Sequence, residues 1–208
     1  MPYGYLGQNT PNQTVSNSGV FSISDVASLE KQGKFGGSLE LIAEQTVTSV
    51  STIDFTSIQE NIFDVLCLQY TNWNCSADAN PMIRISNNNG SSYIASGYQY
   101  AYQYGNASGS FGEGKSTSFS YMSYVGGFCG GTNETSNGYI YFYNLGNSSK
   151  YSFHTFQSFA NAQTPVGIFF FGGAVYPTAE THNAIRILPS VATTISTCTA
   201  KLYGVKQL

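Results

Sequence analysis

A two-residue alternation of apolar and polar side chains, which begins near Ser38, is the feature that most limits the folds open to this chain. Leu39, Leu41 and Ala43 alternate with polar residues, and from Tyr98 to Tyr104 every second residue is a tyrosine. Successive side chains of a β-strand point to opposite faces of a sheet, so this spacing predicts strands. No segment after Ser38 has the spacing of an amphipathic helix.

Further runs rich in aromatic and β-branched residues follow at short intervals. They predict about ten strands with no helices between them, which favours an all-β fold, an antiparallel β-sandwich or jelly roll, over a parallel sheet with crossover helices. The predicted strands after the first are residues 63–70, 82–85, 93–104, 116–124, 138–143, 151–159, 167–176, 184–188 and 198–205.

The first 36 residues differ in character from the rest and predict a separate extended N-terminal arm. Residues 1–19 are mostly Gly, Asn, Gln, Ser, Thr and Pro, which gives them little to bury. One short helix is predicted over residues 22–32, where Ser22 or Ser24 serves as the N-cap and Gly33 ends the helix. We therefore predict two regions, an arm at 1–36 and a β-sandwich head at 37–208.

The composition excludes several classes of partner. Only 9% of the 208 residues are charged, against about 25% in an average soluble domain. The eight Lys and Arg residues are scattered and the net charge is −3, so we expect no nucleic-acid partner. No apolar run approaches the length of about 20 residues that spans a bilayer, so we expect no membrane partner.

No arrangement of reactive side chains predicts catalysis, a cofactor or a metal site. The four cysteines lack metal-ligand spacing, and His154 and His182 are two isolated histidines. We expect reduced cysteines, with a Cys67–Cys75 bridge as the less favoured alternative. The expected protein is not an enzyme and has no cofactor.

The four tyrosines from Tyr98 to Tyr104 are predicted to project from one face of a sheet. Two interpretations remain open for them, packing in the core or against another subunit, and contact with a ligand. The low charge of the chain favours self-association, because few charges would be stranded in an interface between copies.

Two glycine-rich segments, Gly105–Gly114 and Gly126–Gly138, are predicted to be long surface loops on one rim of the head. Loops held by a rigid scaffold are common binding sites, and their polar groups suit sugar hydroxyls. The candidate receptor contacts are Trp73, Asn106, Glu113, Tyr124, Asn133 and Glu134.

Residues 17–34 resemble a segment that is widespread in structural proteins of tailed bacteriophages. Gly19, Val20, Phe21, Ser22, Leu29 and Gly33 carry this likeness. The downstream segments are similar, in order, to strands of a β-sandwich found at the ends of tail-fibre and other virion proteins, notably in marine and cyanobacterial phages. These segments are residues 51–55, 83–93, 137–144, 172–176, 183–187 and 200–205.

The resemblance implies a phage virion structural protein, assembled in the host cytoplasm, with no catalytic residues to carry over. We expect a short tail-fibre or baseplate-type adhesin, a homotrimer whose arm docks on other virion proteins while the head faces the host surface and its glycans. The alternatives are a head-fibre or capsid decoration (cement) protein and, less favoured, a carbohydrate-binding module or a cell-wall-degrading enzyme. The predicted docking residues are Tyr3, Tyr5, Leu6, Val20, Phe21, Ile23 and Leu29.

Overall fold

The structure is a computed structural model that describes residues 38–162 and 166–205. The predicted arm, its short helix and all of its docking residues lie outside the described residues. Residues 41–205 form one compact unit. The described residues form eleven strands: β1 Leu39–Val47, β2 Ile53–Thr56, β3 Val65–Cys75, β4 Pro81–Ser86, β5 Tyr98–Asn106, β6 Phe111–Phe119, β7 Thr135–Tyr143, β8 Tyr151–Ala162, β9 Val166–Ala179, β10 Ala184–Pro189 and β11 Ile195–Val205.

The strands form two sheets of unequal size. The larger sheet has the order β1-β11-β3-β7-β8-β9-β5-β6, and the smaller has the order β2-β10-β4. Neighbours from β11 to β6 pair antiparallel, as do the strands of the smaller sheet. The described residues contain no helix, and so none long and apolar enough to cross a membrane. The predicted all-β, antiparallel class is confirmed, whereas the division into eight and three strands does not by itself give a jelly roll.

One hydrophobic core joins the two sheets. Ile83 and Ile187 of the smaller sheet belong to the same buried cluster as Leu68, Phe142 and Leu202 of the larger one. The alternation of buried and exposed positions is strictest in β8, whose even-numbered residues from Ser152 to Ala160 all face inward. The two layers are therefore packed in the manner of a sandwich.

The first predicted loop, Gly105–Gly114, is instead part of a tight hairpin. β5 ends at Asn106 and β6 begins at Phe111, and Gly109 takes a positive φ of 91° in the turn between them. A Cβ atom on Gly112 would lie 2.5 Å from the ring of Tyr104. The loop prediction was wrong because these glycines lie in strands, where they make room for aromatic rings. Composition alone does not distinguish such strand glycines from the glycines of a loop.

The second predicted loop, Gly126–Gly138, is also largely ordered by packing. β7 begins at Thr135, and Gly126, Gly127 and Cys129 are buried. The predicted strand over residues 116–124 is displaced as well, because β6 ends at Phe119. The chain then leaves the larger sheet and runs beside β4.

The four cysteines are buried free thiols. Cys67 and Cys75 lie eight positions apart on the same strand, β3. At a rise of roughly 3.3 Å per residue they are about 26 Å apart, far beyond the reach of a disulfide. The Cys67–Cys75 alternative is therefore excluded.

We predict that Gly126→Ala destabilises the fold by about 1–3 kcal/mol, the range for overpacking a filled interior. The added Cβ would meet the Tyr70 hydroxyl, which donates a 2.7 Å hydrogen bond to the Val125 carbonyl, and the Ser136 hydroxyl. Urea unfolding measures the loss. The control is Thr132→Ala, at an exposed position of the same segment; equal stabilities of the two variants would contradict the packing described.

Candidate functional site

The last four strands of the larger sheet, β8, β9, β5 and β6, carry aromatic side chains on both faces. The inner face includes Phe156 on β8, Phe170 on β9 and the tyrosines of β5. The tyrosines share one face, as predicted: Tyr98 is buried in the core, and Tyr100, Tyr102 and Tyr104 pack against it half-buried. We call these four strands the aromatic extension.

The opposite side carries what we call the outer aromatic face. Strand register places its side chains in adjoining rows: Phe169 pairs with Phe159, and Phe171 lies opposite both Gln103 and Gln157. Its most exposed members are Phe111 at 78%, Phe159 at 59% and Phe171 at 47%. The residues of the outer aromatic face are Phe111, Phe153, Phe159, Phe169 and Phe171, together with Tyr139 on the neighbouring strand β7.

Glycines in the paired strands determine how these rings lie. A Cβ on Gly105 would be 2.7 Å from the rings of both Phe111 and Phe169, so these rings cover the Gly105 backbone. The rings of Phe169 and Phe171 are nearly parallel, with centroids 6.0 Å apart. The result is a flat apolar surface with a shallow trough of about 480 Å³ between Phe111, Phe169 and Phe171.

Charge is confined to the border of this surface. Strands β5, β7, β8 and β9 contain no Asp, Glu, Lys or Arg. On the edge strand β6, Lys115 donates a 2.6 Å hydrogen bond to Glu113, and this bond lowers the pKa of the Glu113 carboxyl. Both side chains are well exposed, so solvent screens the pair.

A second recess lies on the inner face of the aromatic extension. Its walls come from β5, from β9 and from residues 124–128, which run beside β4. It has a volume of about 300 Å³. We call it the aromatic cleft, and its lining residues are Asn80, Tyr102, Tyr104, Tyr124, Phe128, Ile168 and Phe170.

Two of the predicted receptor contacts lie at these recesses. Glu113 borders the trough on the outer face, and Tyr124 lines the aromatic cleft on the inner face. No sequence pattern predicted that Tyr102, Phe128 and Phe170 would lie beside Tyr124. Their meeting depends on the pairing of β5 with β9, which local sequence does not encode.

Trp73 was predicted as a receptor contact, and this prediction is wrong. The side chain is 0% exposed, and its indole Nε1 donates a 3.2 Å hydrogen bond to the Ala79 carbonyl. An aromatic ring stacks on a ligand only through an accessible face. Trp73 is a core residue.

One end of the larger sheet holds Asn106, Asn133 and Glu134. Strand pairing runs across this end from Asn106 to Ile168, then to Ala160 and to Ser136, which follows Glu134 closely in the chain. The Asn106 side chain accepts hydrogen bonds from the Ser108 hydroxyl and the Ser110 amide. Glu134 accepts bonds of 2.8 and 2.9 Å from the amides of Gly130 and Gly131. Asn106 and Glu134 hold their own turns, whereas Asn133 is exposed.

The two histidines are buried within the protein. His154 on β8 lies 2.9 Å from the Ser123 hydroxyl through Nε2, and burial lowers its pKa to about 3. His182 lies 2.8 Å from the Ser152 hydroxyl through Nδ1 and 3.3 Å from a Glu180 carboxylate oxygen through Nε2. Burial also lowers the pKa of His182, and the nearby Glu180 carboxylate opposes that shift.

The Ser152, His182 and Glu180 groups resemble a hydrolytic triad in composition but have no access to a substrate. Ser152 and His182 are 0% exposed, and neither lines a described recess. A nucleophile must reach the atom that it attacks. Among the described residues, no group of three or more His, Cys, Asp or Glu side chains is placed to hold a metal ion.

The chain matches no protein-family model, and neither a curated protein nor a solved structure is significantly similar to it.

The buried His154 predicts a fold that weakens in acid. Its pKa of about 3 in the folded state lies below the value of about 6.5 in an unfolded chain, so below pH 6.5 the unfolded state binds more protons. The contribution of neutral His154 to the free energy of unfolding should therefore be fully present above pH 6.5 and be lost as the pH drops toward 3. His154 alone should remove about 2–3 kcal/mol between pH 7.5 and 4.5.

Urea unfolding at the two pH values measures this loss. His154→Gln keeps a polar group for Ser123 without a titrating ring, so its stability should fall less over the same interval. An equal decline in both proteins would assign the acid sensitivity to other groups.

Proposed function

We propose that this chain is a non-enzymatic structural protein of a bacteriophage virion, a short tail-fibre or baseplate-type adhesin. Residues 1–36 dock on other virion proteins, and the β-rich head, assembled as a trimer, faces the host surface. The resemblance of residues 17–34 and of the later strand segments to virion proteins supports the virion location. The observation that carries the proposal is the outer aromatic face, an uncharged apolar surface on a rigid β scaffold.

We further propose that the head is a jelly roll with two inserted hairpins. The segment 122–129 runs beside β4, with hydrogen bonds from the Met122 amide to the Ile83 carbonyl (2.8 Å) and from the Val125 amide to the Pro81 carbonyl (2.9 Å). Isolated antiparallel bridges join Met82 to Tyr124 and Ala79 to Cys129. These contacts support counting the segment as a fourth strand of the smaller sheet.

The strand order then supports the jelly roll directly. Without the hairpins β5–β6 and β8–β9, the sheets are β1-β11-β3-β7 and β2-β10-β4 with the 122–129 segment. Numbered along the chain, these are strands 1-8-3-6 and 2-7-4-5, the order of an eight-strand jelly roll. Jelly rolls are frequent in viral capsid proteins and lectins. Because a fold alone does not specify function, the proposed function also rests on the outer aromatic face.

The outer aromatic face is proposed as the contact between copies of the chain. Apolar patches of this kind on a protein surface mark interaction sites. Its central strands carry no charged side chain. Burial of the rings of Phe159 and Phe171 between copies therefore leaves no unpaired ion in the interface. The trimer, rather than another oligomer, follows the resemblance to tail-fibre modules.

The double variant Phe159→Ser, Phe171→Ser should dissociate the oligomer without unfolding the head, because both rings are exposed in the single chain. Sedimentation equilibrium at micromolar concentration should give a trimer for the unaltered protein and a monomer for the variant. Val191→Ser removes an exposed apolar side chain from the β10–β11 connection and should leave the trimer intact. A monomeric unaltered protein would refute self-association through this face.

The location on the particle is tested by electron microscopy with gold-labelled antibodies to the head. Label on the tail or baseplate is expected, and deletion of residues 1–36 should abolish incorporation while residues 41–205 remain folded as one unit. Label distributed over the phage capsid would favour the decoration protein instead. Particles without label would refute the virion proposal.

A further inference from the structure

The aromatic cleft is a built recess on the side of the aromatic extension opposite the outer aromatic face. Its floor consists of rings from two paired strands, since Tyr104 lies opposite Phe170 in the β5–β9 ladder and the two rings stack at 5.5 Å. Its wall includes Tyr124, whose ring meets that of Tyr102 nearly edge-on at 6.0 Å. A ligand would therefore meet aromatic side chains on more than one side.

The polar groups of the cleft are hydroxyls and an amide, without a charge. The hydroxyls of Tyr102, Tyr104 and Tyr124 make no hydrogen bond to any other residue in the described part of the chain. The Asn80 side chain donates a 2.8 Å bond to the Gly126 carbonyl, which fixes its amide beside the recess. No Asp, Glu, Lys, Arg or His lines the cleft.

This combination selects among classes of ligand. A phosphate, sulfate or carboxylate requires a cation or converging amide donors, and no cationic side chain lines the cleft. A purely apolar ligand would cover the tyrosine hydroxyls without satisfying them, at a cost for each buried polar group. A neutral sugar ring offers an apolar face for stacking and hydroxyls for hydrogen bonds. The volume of about 300 Å³ lies at the lower end of the range of small-molecule sites.

We propose that the aromatic cleft binds a neutral sugar unit of a glycan, with Phe128 and Tyr124 as its principal contacts. This inference deepens the proposed adhesin function, on which it rests, by naming the class of receptor and its site. Tyr102, Tyr104 and Phe170 form the rigid floor, because strand pairing on both sides holds β9 in place. A preorganised site loses less entropy when a ligand binds.

The chain offers well-matched variants for a test. Phe128→Ala removes an exposed ring from the cleft, and Tyr124→Phe removes only a hydroxyl that has no partner among the described residues. Tyr151→Phe makes the same hydroxyl deletion, and Ile62→Ala a comparable apolar truncation, at exposed positions outside both the cleft and the outer aromatic face. Thermal melting verifies that each variant is folded before binding is measured.

The probe is a printed array of neutral hexose and N-acetylhexosamine glycans, with sialylated and sulfated glycans beside them. We expect the full chain to bind one or more neutral glycans. Affinity for the strongest of these, measured by calorimetry, should fall roughly three- to tenfold in Phe128→Ala, as expected for the loss of one aromatic contact. A smaller loss is expected in Tyr124→Phe and none in the two control variants.

Three results would overturn the proposal: no binding to any neutral glycan, a preference for sialylated or sulfated glycans, or equal weakening by cleft and control variants. The immuno-electron microscopy described above separates this failure from that of the proposed function. A protein found on particles that binds no glycan refutes the cleft alone. A protein absent from particles that binds neutral glycans through Phe128 refutes the virion role and leaves the cleft as the site of a carbohydrate-binding module.

Discussion

The antiparallel ladder between β5 and β9 is the interaction on which both recesses depend. It runs from the pair Gln99–Val175 to the pair Asn106–Ile168 and joins two hairpins that lie far apart in the chain. On one face it places Phe171 beside Gln103, and on the other it stacks Phe170 on Tyr104. Because side chains alternate along each strand, one ladder of backbone hydrogen bonds builds the trough and the aromatic cleft together.

Glycines allow this dense aromatic arrangement. Tyr104 lies against Gly112 across the β5–β6 pair, and Phe159 lies over Gly167. A side chain at either glycine would displace a ring. The flat surface therefore depends on the glycine as well as on the aromatic residue that covers it. Rings that cover glycines in paired strands recover the packing that the glycine itself lacks.

The outer surfaces of the two sheets differ in kind. On the smaller sheet, Asp54, Arg186 and Arg84 lie side by side across the three strands. Arg186 binds Asp54 through two 2.6 Å hydrogen bonds and lies 3.9 Å above the ring of Tyr93, while Arg84 lies 4.3 Å above the ring of Tyr121. Charged and loop residues thus cover that sheet, whereas no described residue covers the exposed rings on the outer side of the aromatic extension. This contrast is why we propose the larger sheet as the contact between copies.

The sequence by itself determined the class of fold and the direction of many side chains. The two-residue period predicted the strands from Ser38 onward and the shared face of Tyr98–Tyr104, because alternation is a local property of an extended backbone.

The sequence by itself did not determine which strands are neighbours. Gly105, Gly112 and Gly114 resembled a loop, and Trp73 resembled an exposed ligand contact, since composition carries no information about what lies across a pair of strands. Only the tertiary structure decided these points: it buried Trp73 in the core, covered the glycines with aromatic rings and brought Tyr124 and Phe128 to β5 and β9. Each of these contacts joins residues brought together by strand pairing and sheet packing, which depend on the whole chain.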